Sequence, residues 1–193
     1  MTIIDTLIFD RVIDDVLRIA ALADLAKTRE LTTEELALWN ASVVRGAYNV
    51  EDLNRVGSAI RFADAYLSTV QPGIDAYREA LGVADDEYFD AHISDATAEI
   101  VPRTDYKTSE SPIMADGIKL TMTAGAALAE RVGIVYKAPD ASRFGYSAAN
   151  AIERMIYDAY HYGVEKETTR KESAEKMASA WYFSGDLFCG EIQ

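Results

Sequence analysis

The sequence predicts a mainly α protein: a helical bundle of four or more helices with a long irregular middle segment and a short β-like C-terminal arm. Three observations carry this reading. Apolar residues recur at spacings of three and four over several separate stretches, which puts them on one helix face. Residues 74–111 mix acidic residues, Ser, Thr and Pro without a sustained period. The chain ends in WYFSGDLFCGEIQ, an aromatic, strand-like run broken by Gly185 and Gly190.

The first helix is expected from about Val12 to Lys27, its apolar face made by Ile13, Val16, Leu17, Ile19, Ala20 and Leu22 and turned towards the core. Asp10, Asp14 and Asp15 stand at its positive end and Lys27 at its negative end. The second begins at LTTEEL, where Thr32 is a natural N-cap and Glu35 completes a capping box, and it ends near Gly46, a residue able to take the left-handed conformation. In GAYNVEDLNRV, Asn49 is the next N-cap and Asp52 can return the bond, while Tyr48 and Leu53 occupy the positions of a hydrophobic staple. The helix that follows carries Leu53, Val56, Ile60, Ala63, Leu67 and Val70, a seam for another helix, and Gln71-Pro72-Gly73 is expected to end it.

Beyond it the sequence predicts a short helix at 74–81, mostly loop thereafter, and a short strand near 99–103. Helical order returns from about Pro112 to Val132, where the small residues of TAGAALA admit a close neighbour, and again from about Ser147 to Tyr162. The organisation expected is a helical domain over 1–163 and, over 164–193, a charged linker or short solvated helix followed by the strand-like arm. A lone terminal strand is marginal by itself, so Trp181, Tyr182, Phe183, Leu187, Phe188 and Ile192 are the candidate interface residues of that arm.

Composition narrows the function. Of 193 residues, 32 are acidic and 19 basic, a net charge of −13 that repels a phosphate backbone and argues against a nucleic-acid partner. No apolar run approaches the roughly 18 residues of a membrane span, so no membrane insertion is expected. A single cysteine, Cys189, rules out an intrachain disulfide or a thiolate metal site and fits synthesis in a reducing compartment. Only His92 and His161 exist; Asp158 and His161 have the one-turn spacing of di-iron bundles, but those sites need a second such motif and two further glutamates. The acids Asp85, Asp86, Glu87 and Asp90 lack the register of a calcium loop. Phosphate-cradling loops, nucleophile elbows and Cys/His pairs are also missing from the sequence, so no cofactor, metal or catalytic residue is expected. The cluster Tyr157, Tyr160 and Tyr162 reads as an amphipathic core edge, and such faces also suit protein interfaces.

Three motifs go further. Leu7-Ile-Phe-Asp-Arg11, then Gly46-Ala-Tyr-Asn49 with Asp52-Leu-Asn-Arg-Val56, then Tyr146-Ser-Ala-Ala-Asn150 with Ile152-Glu-Arg154, stand in one order along the chain. Together with the ending Phe183-Ser-Gly-Asp-Leu187 and Cys189-Gly-Glu191, they resemble a family of bacteriophage and prophage structural proteins of the tail or baseplate. The resemblance departs at Val12, where a Thr commonly follows the Arg, and at Asp186, where a Glu is usual. It implies a virion component, made in the host cytoplasm, whose partners are other phage virion proteins and further copies of itself in a ring or symmetric array. It implies no active site. Tyr48, Asn49, Asp52, Asn54, Arg55, Tyr146 and Asn150 are then expected to hold neighbouring elements in register. The alternative is a host-surface or carbohydrate-binding module at the tail tip, using the acidic loop from Asp85 to Tyr106; an enzyme acting on cell wall has no positive support.

Overall fold

In the computed structural model, which describes residues 1–81, 102–108, 110–134 and 144–188, the described residues form five α-helices and one short 3-10 turn. The helices are α1 (Ile13–Thr28), α2 (Thr33–Gly46), α3 (Val50–Leu81), α4 (Ser111–Arg131) and α5 (Tyr146–Phe188), and the 3-10 turn is Ile3–Thr6.

The local rules explain where the helices start. Thr32 Oγ1 accepts the Glu35 amide at 3.2 Å while Glu35 returns to the Thr32 amide at 2.8 Å, so two free donors of α2 are satisfied reciprocally. Asn49 Oδ1 takes the amides of Glu51 and Asp52, and Asp52 Oδ2 takes the Asn49 amide at 2.9 Å. Gly133, with φ of 76°, ends α4 by turning the chain so that its own amide and that of Ile134 close on the carbonyls of Glu130 and Ala129. Gly46 works differently from expectation. It has no positive φ, and a Cβ there would stand 2.3 Å from the Asp15 carbonyl oxygen, so glycine is required by the close approach of α1.

Beside its cap, Glu35 receives a two-pronged ion pair from Arg29, at 2.6 and 2.8 Å. The Arg29 bonds first, and the Thr32 amide second, bring its carboxyl down to about 2. A depressed carboxyl supports the folded state above its ordinary value of 4.5 and loses that contribution as pH falls towards 2. The Glu35 side-chain carbonyl should therefore titrate by NMR with a midpoint near 2, and Arg29→Met should move it upward; an ordinary midpoint in the native protein would contradict the ion pair.

The core is built by α3, α4 and α5. Val56, Ile60, Leu67, Val70 and Ile74 from α3 meet Met122 and Leu128 from α4 and Ile152, Ile156 and Ala159 from α5, with Ile4 and Leu7 closing one end. Each of these Val, Leu, Ile and Met side chains contributes about 1.5–3 kcal/mol when fully buried. The contacts rise together along all three helices. Arg55 meets Glu153, Leu67 lies against Gly163, and Gly73 against Arg170; likewise Leu53 lies against Gly117, and Asp64 pairs with Arg131. The three helices therefore run parallel, and each connection between them must travel the length of the bundle. The irregular middle segment contains one such return. Its residues 102–108 descend along α3, with Pro102 at Arg61, Arg103 at Gly57 and Tyr106 at Asn54.

Parallel helices gather their positive ends at one pole, which favours acidic residues there. Glu51 and Asp52 occupy the first turn of α3, and Arg131 the last turn of α4 at the opposite pole.

Several expectations are corrected. The C-terminal β-like arm is not found: Tyr146–Phe188 is one helix of 43 residues that crosses 163/164 unbroken. Glu167 pairs with Arg170 and Lys171 one turn on, and ETTRKESAEK is rich in helix formers, so the established helix extends at little cost into an aromatic run whose alternation suggested strand. Of 177–188 the backbone course alone is described, which covers Trp181, Tyr182, Phe183, Leu187 and Phe188; Ile192 and Cys189 lie outside the described residues. The expected stop at Gln71-Pro72-Gly73 is also absent. The helix α3 carries Pro72 inside it and continues to Leu81, because Val70 and Ile74 on either side of the proline are both buried in the core. The expected strand near 99–103 and the acids at 85–90 fall outside the described residues except for 102 and 103.

The α1 expectation fails most usefully. Ile19, Leu22 and Asp15 are buried, but Ile13 and Leu17 are exposed, Leu17 by 58%. The helices α1 and α2 pack on one another and only lightly on the bundle, so they form a projecting hairpin.

Candidate functional site: a buried charge network and the hairpin it anchors

Both feet of the hairpin stand in one buried polar cluster. Arg11 precedes α1, Tyr48 and Asn49 follow α2, and between them lie Asp52 and Arg55 of α3 and Glu153 of α5. Glu153, fully buried, accepts the Ile8 amide at 2.7 Å, Arg11 Nη2 at 2.8 Å and Arg55 Nη2 at 3.0 Å. Asp52 Oδ1 takes Arg55 at 2.6 Å and Arg11 at 3.2 Å, while its other oxygen caps α3. Arg11 Nη1 donates to the Ile8 carbonyl. Two guanidinium groups thus face two carboxylates, and the cluster is neutral. Burial works to lower the Arg55 pKa, but Glu153 and then Asp52 outweigh it and hold it above the ordinary arginine value.

Two asparagines complete the anchoring, each by a two-bond grip on backbone. Asn150 Oδ1 accepts the Arg11 amide at 3.1 Å and its Nδ2 donates to the Arg11 carbonyl at 2.8 Å. Asn54 holds Tyr106 in the same way, at 2.8 and 2.9 Å, which fixes the return segment on α3. A side-chain amide presents a donor and an acceptor side by side, so it can pair with one residue of extended backbone as a strand would.

Tyr48 lies beneath the Arg11 guanidinium, 5.7 Å from ring centre to Cζ, and meets Phe144 edge-on at 4.9 Å. Its hydroxyl is buried without a hydrogen-bond partner among the described residues. Burial first, then the charges of Glu153 and Asp52, push its pKa upward. An unpaired buried hydroxyl costs about 1–3 kcal/mol relative to an apolar group of the same shape. Tyr48→Phe should therefore leave stability unchanged or raise it by about 1 kcal/mol in urea unfolding; a loss above that size would mean the hydroxyl has a partner.

Of the residues expected to set register, Tyr48, Asn49, Asp52, Arg55 and Asn150 come together here, and Asn54 lies one turn away. Tyr146 is exposed and stands beside them, lining a cleft of about 190 Å³ with Arg11, Arg45, Gly46, Tyr48 and Phe144. That volume is below the roughly 300–1,000 Å³ of small-molecule pockets. Glu153 and Arg11 are the members that sequence reasoning did not nominate. The signal for Glu153 was its place between Ile152 and Ile156 on the inward face of α5; a carboxylate at an apolar position needs a buried cation. Among the described residues no acid, histidine or cysteine cluster could hold a metal, and His161 packs on Tyr157 at 4.2 Å and Tyr160 at 5.3 Å. No described helix is long and apolar enough to cross a membrane.

Seven of the ten large exposed apolar residues among those described lie between Val12 and Val44, on the hairpin so anchored. On α2 the residues 36–44, LALWNASVV, contain no charge, and Leu36, Leu38 and Val44 are exposed although Trp39 and Val43 turn partly inward. The chain matches no known family model, no curated protein and no solved structure.

Proposed function

We propose that this chain is a non-enzymatic structural component of a bacteriophage virion, placed in the tail or baseplate and working through protein–protein contacts. The supporting observation is that the three separated motifs carrying the resemblance, at 7–11, 46–56 and 146–154, supply the residues of one buried network. That network does no chemistry; it holds a projecting hairpin in a fixed pose. A rigid arm whose second helix carries a charge-free stretch over 36–44 suits assembly, where exposed apolar patches mark contact sites. The bundle behind it supplies a stiff platform.

The test is mass spectrometry of purified phage particles from an induced host that carries this gene. The chain should be recovered in constant ratio to tail proteins, and its deletion should leave particles with defective tails. Particles of normal form and infectivity that lack the chain would end this reading. Purified protein should also leave peptidoglycan turnover at background.

A further inference from the structure

The outer face of α2 is self-complementary. Leu36, Asn40 and Val44 are spaced by four and form one ridge, with the small residues Ala37 and Ala41 beside it, and all five are exposed. A helix that is apolar on both faces is ordinarily covered on both. We propose that a second copy of the chain covers this one, α2 against α2 in antiparallel order about a two-fold axis at Asn40. The proposal deepens the assembly reading above by naming the partner.

Charge selects that partner and that order. With a net charge of −13, two copies repel unless they meet where charge is sparse, and residues 36–44 carry no charge, with Leu36, Asn40 and Val44 among them exposed. Pairing about Asn40 sets Leu36 of each copy against Val44 of the other, and the two Asn40 amides, each donor and acceptor, can bond reciprocally. On the flank the same register brings Glu34 of one copy opposite Arg45 of the other, and the two-fold repeats the pair. Arg45 uses Nε for Asp15 and Nη2 for Asp10, and Nη1 has no partner among the described residues. A parallel arrangement would set Glu34 against Glu34. The helix is about 21 Å long at 1.5 Å per residue, and one helix face of that length buries less than the roughly 1,000 Å² of a stable interface. The dimer is therefore reversible, and in an array its weakness is offset by multivalency.

Sedimentation equilibrium of the full chain, from about 10 μM to about 1 mM, reads it directly, since that range brackets weak association. The native chain should pass from monomer to dimer, and Leu36→Glu should remain monomeric with an unchanged far-UV spectrum. Glu34→Lys should weaken association roughly five- to ten-fold, as two rim pairs become repulsive. As a control independent of Leu36, Asn40→Cys in a Cys189→Ser background should oxidise to a covalent dimer, whereas Glu51→Cys in the same background should not. A chain monomeric at every concentration, or a dimer that Leu36→Glu leaves intact, overturns the proposal. Particle content is a separate readout: a monomer found in virions removes the dimer alone, and a dimer missing from virions removes the virion reading alone.

Discussion

Replacing Glu153 by leucine is expected to cost the fold about 3–5 kcal/mol, the usual penalty for removing one partner from a buried ion cluster. Three donors lose their acceptor at once: Arg11, Arg55 and the Ile8 amide. Asp52 alone then faces two guanidinium groups, leaving a net positive charge in a site from which water is excluded. Urea unfolding followed by circular dichroism measures the loss. A second variant separates charge from packing. Glu153→Leu combined with Arg55→Leu restores neutrality, because Arg11 and Asp52 remain as a pair, and should recover at least about 1 kcal/mol of what the single change lost. If the single variant loses less than about 1 kcal/mol, the network contributes little and the hairpin must be held by other contacts.

Gly57→Val is expected to act just beyond the network, two residues after Arg55 on α3. A Cβ at Gly57 would stand 2.3 Å from the Arg103 carbonyl oxygen and 3.3 Å from its carbonyl carbon, so backbone and not a flexible side chain is in the way. Alanine there would gain about 1 kcal/mol of helix propensity, but overpacking costs about 1–3 kcal/mol, and valine adds bulk without the propensity. The return segment should lift from α3, taking with it the Asn54–Tyr106 pair, the Arg61 bond to the Pro102 carbonyl and the buried Tyr106 ring. A total near 3 kcal/mol follows, since further overpacking and lost hydrogen bonds add. Trypsin offers the specific readout. Cleavage after Arg103 and Lys107 should become fast in Gly57→Val while helix content holds, and native-like resistance at both sites would show that the segment is not seated on Gly57.

These two variants probe what makes the fold uncommon among helical bundles. Short connections give antiparallel neighbours, whereas here the segments after α3 and α4 are long enough to return the chain to the starting pole. The irregular stretch from 74 to 111 is thereby explained in part. Its first residues extend α3, and 102–108 are held extended by Asn54 and Arg61. Such a segment has no period of its own because its backbone partners are side chains of a helix, and nothing in its local composition announces them.

The sequence by itself determined what nearest neighbours decide. The cap of α2 at Thr32 and Glu35, the cap of α3 at Asn49 and Asp52, and the buried seam from Leu53 to Val70 all follow from residues within a few positions of one another. Punctuation was less reliable: Pro72 lies inside α3, and the strand-like aromatic run continues a helix as far as Phe188. Only the tertiary structure decided these, because burial of Ile74 and the ion pairs of Glu167 outweigh local preference. It alone also turned Ile13 and Leu17 outward, set three helices parallel, and brought Arg11, Asp52, Arg55 and Glu153 together from three distant segments. The physical reason is common to all of them: a cap or a period is a property of one turn of helix, whereas a neutral buried cluster exists only where distant charges meet out of reach of water.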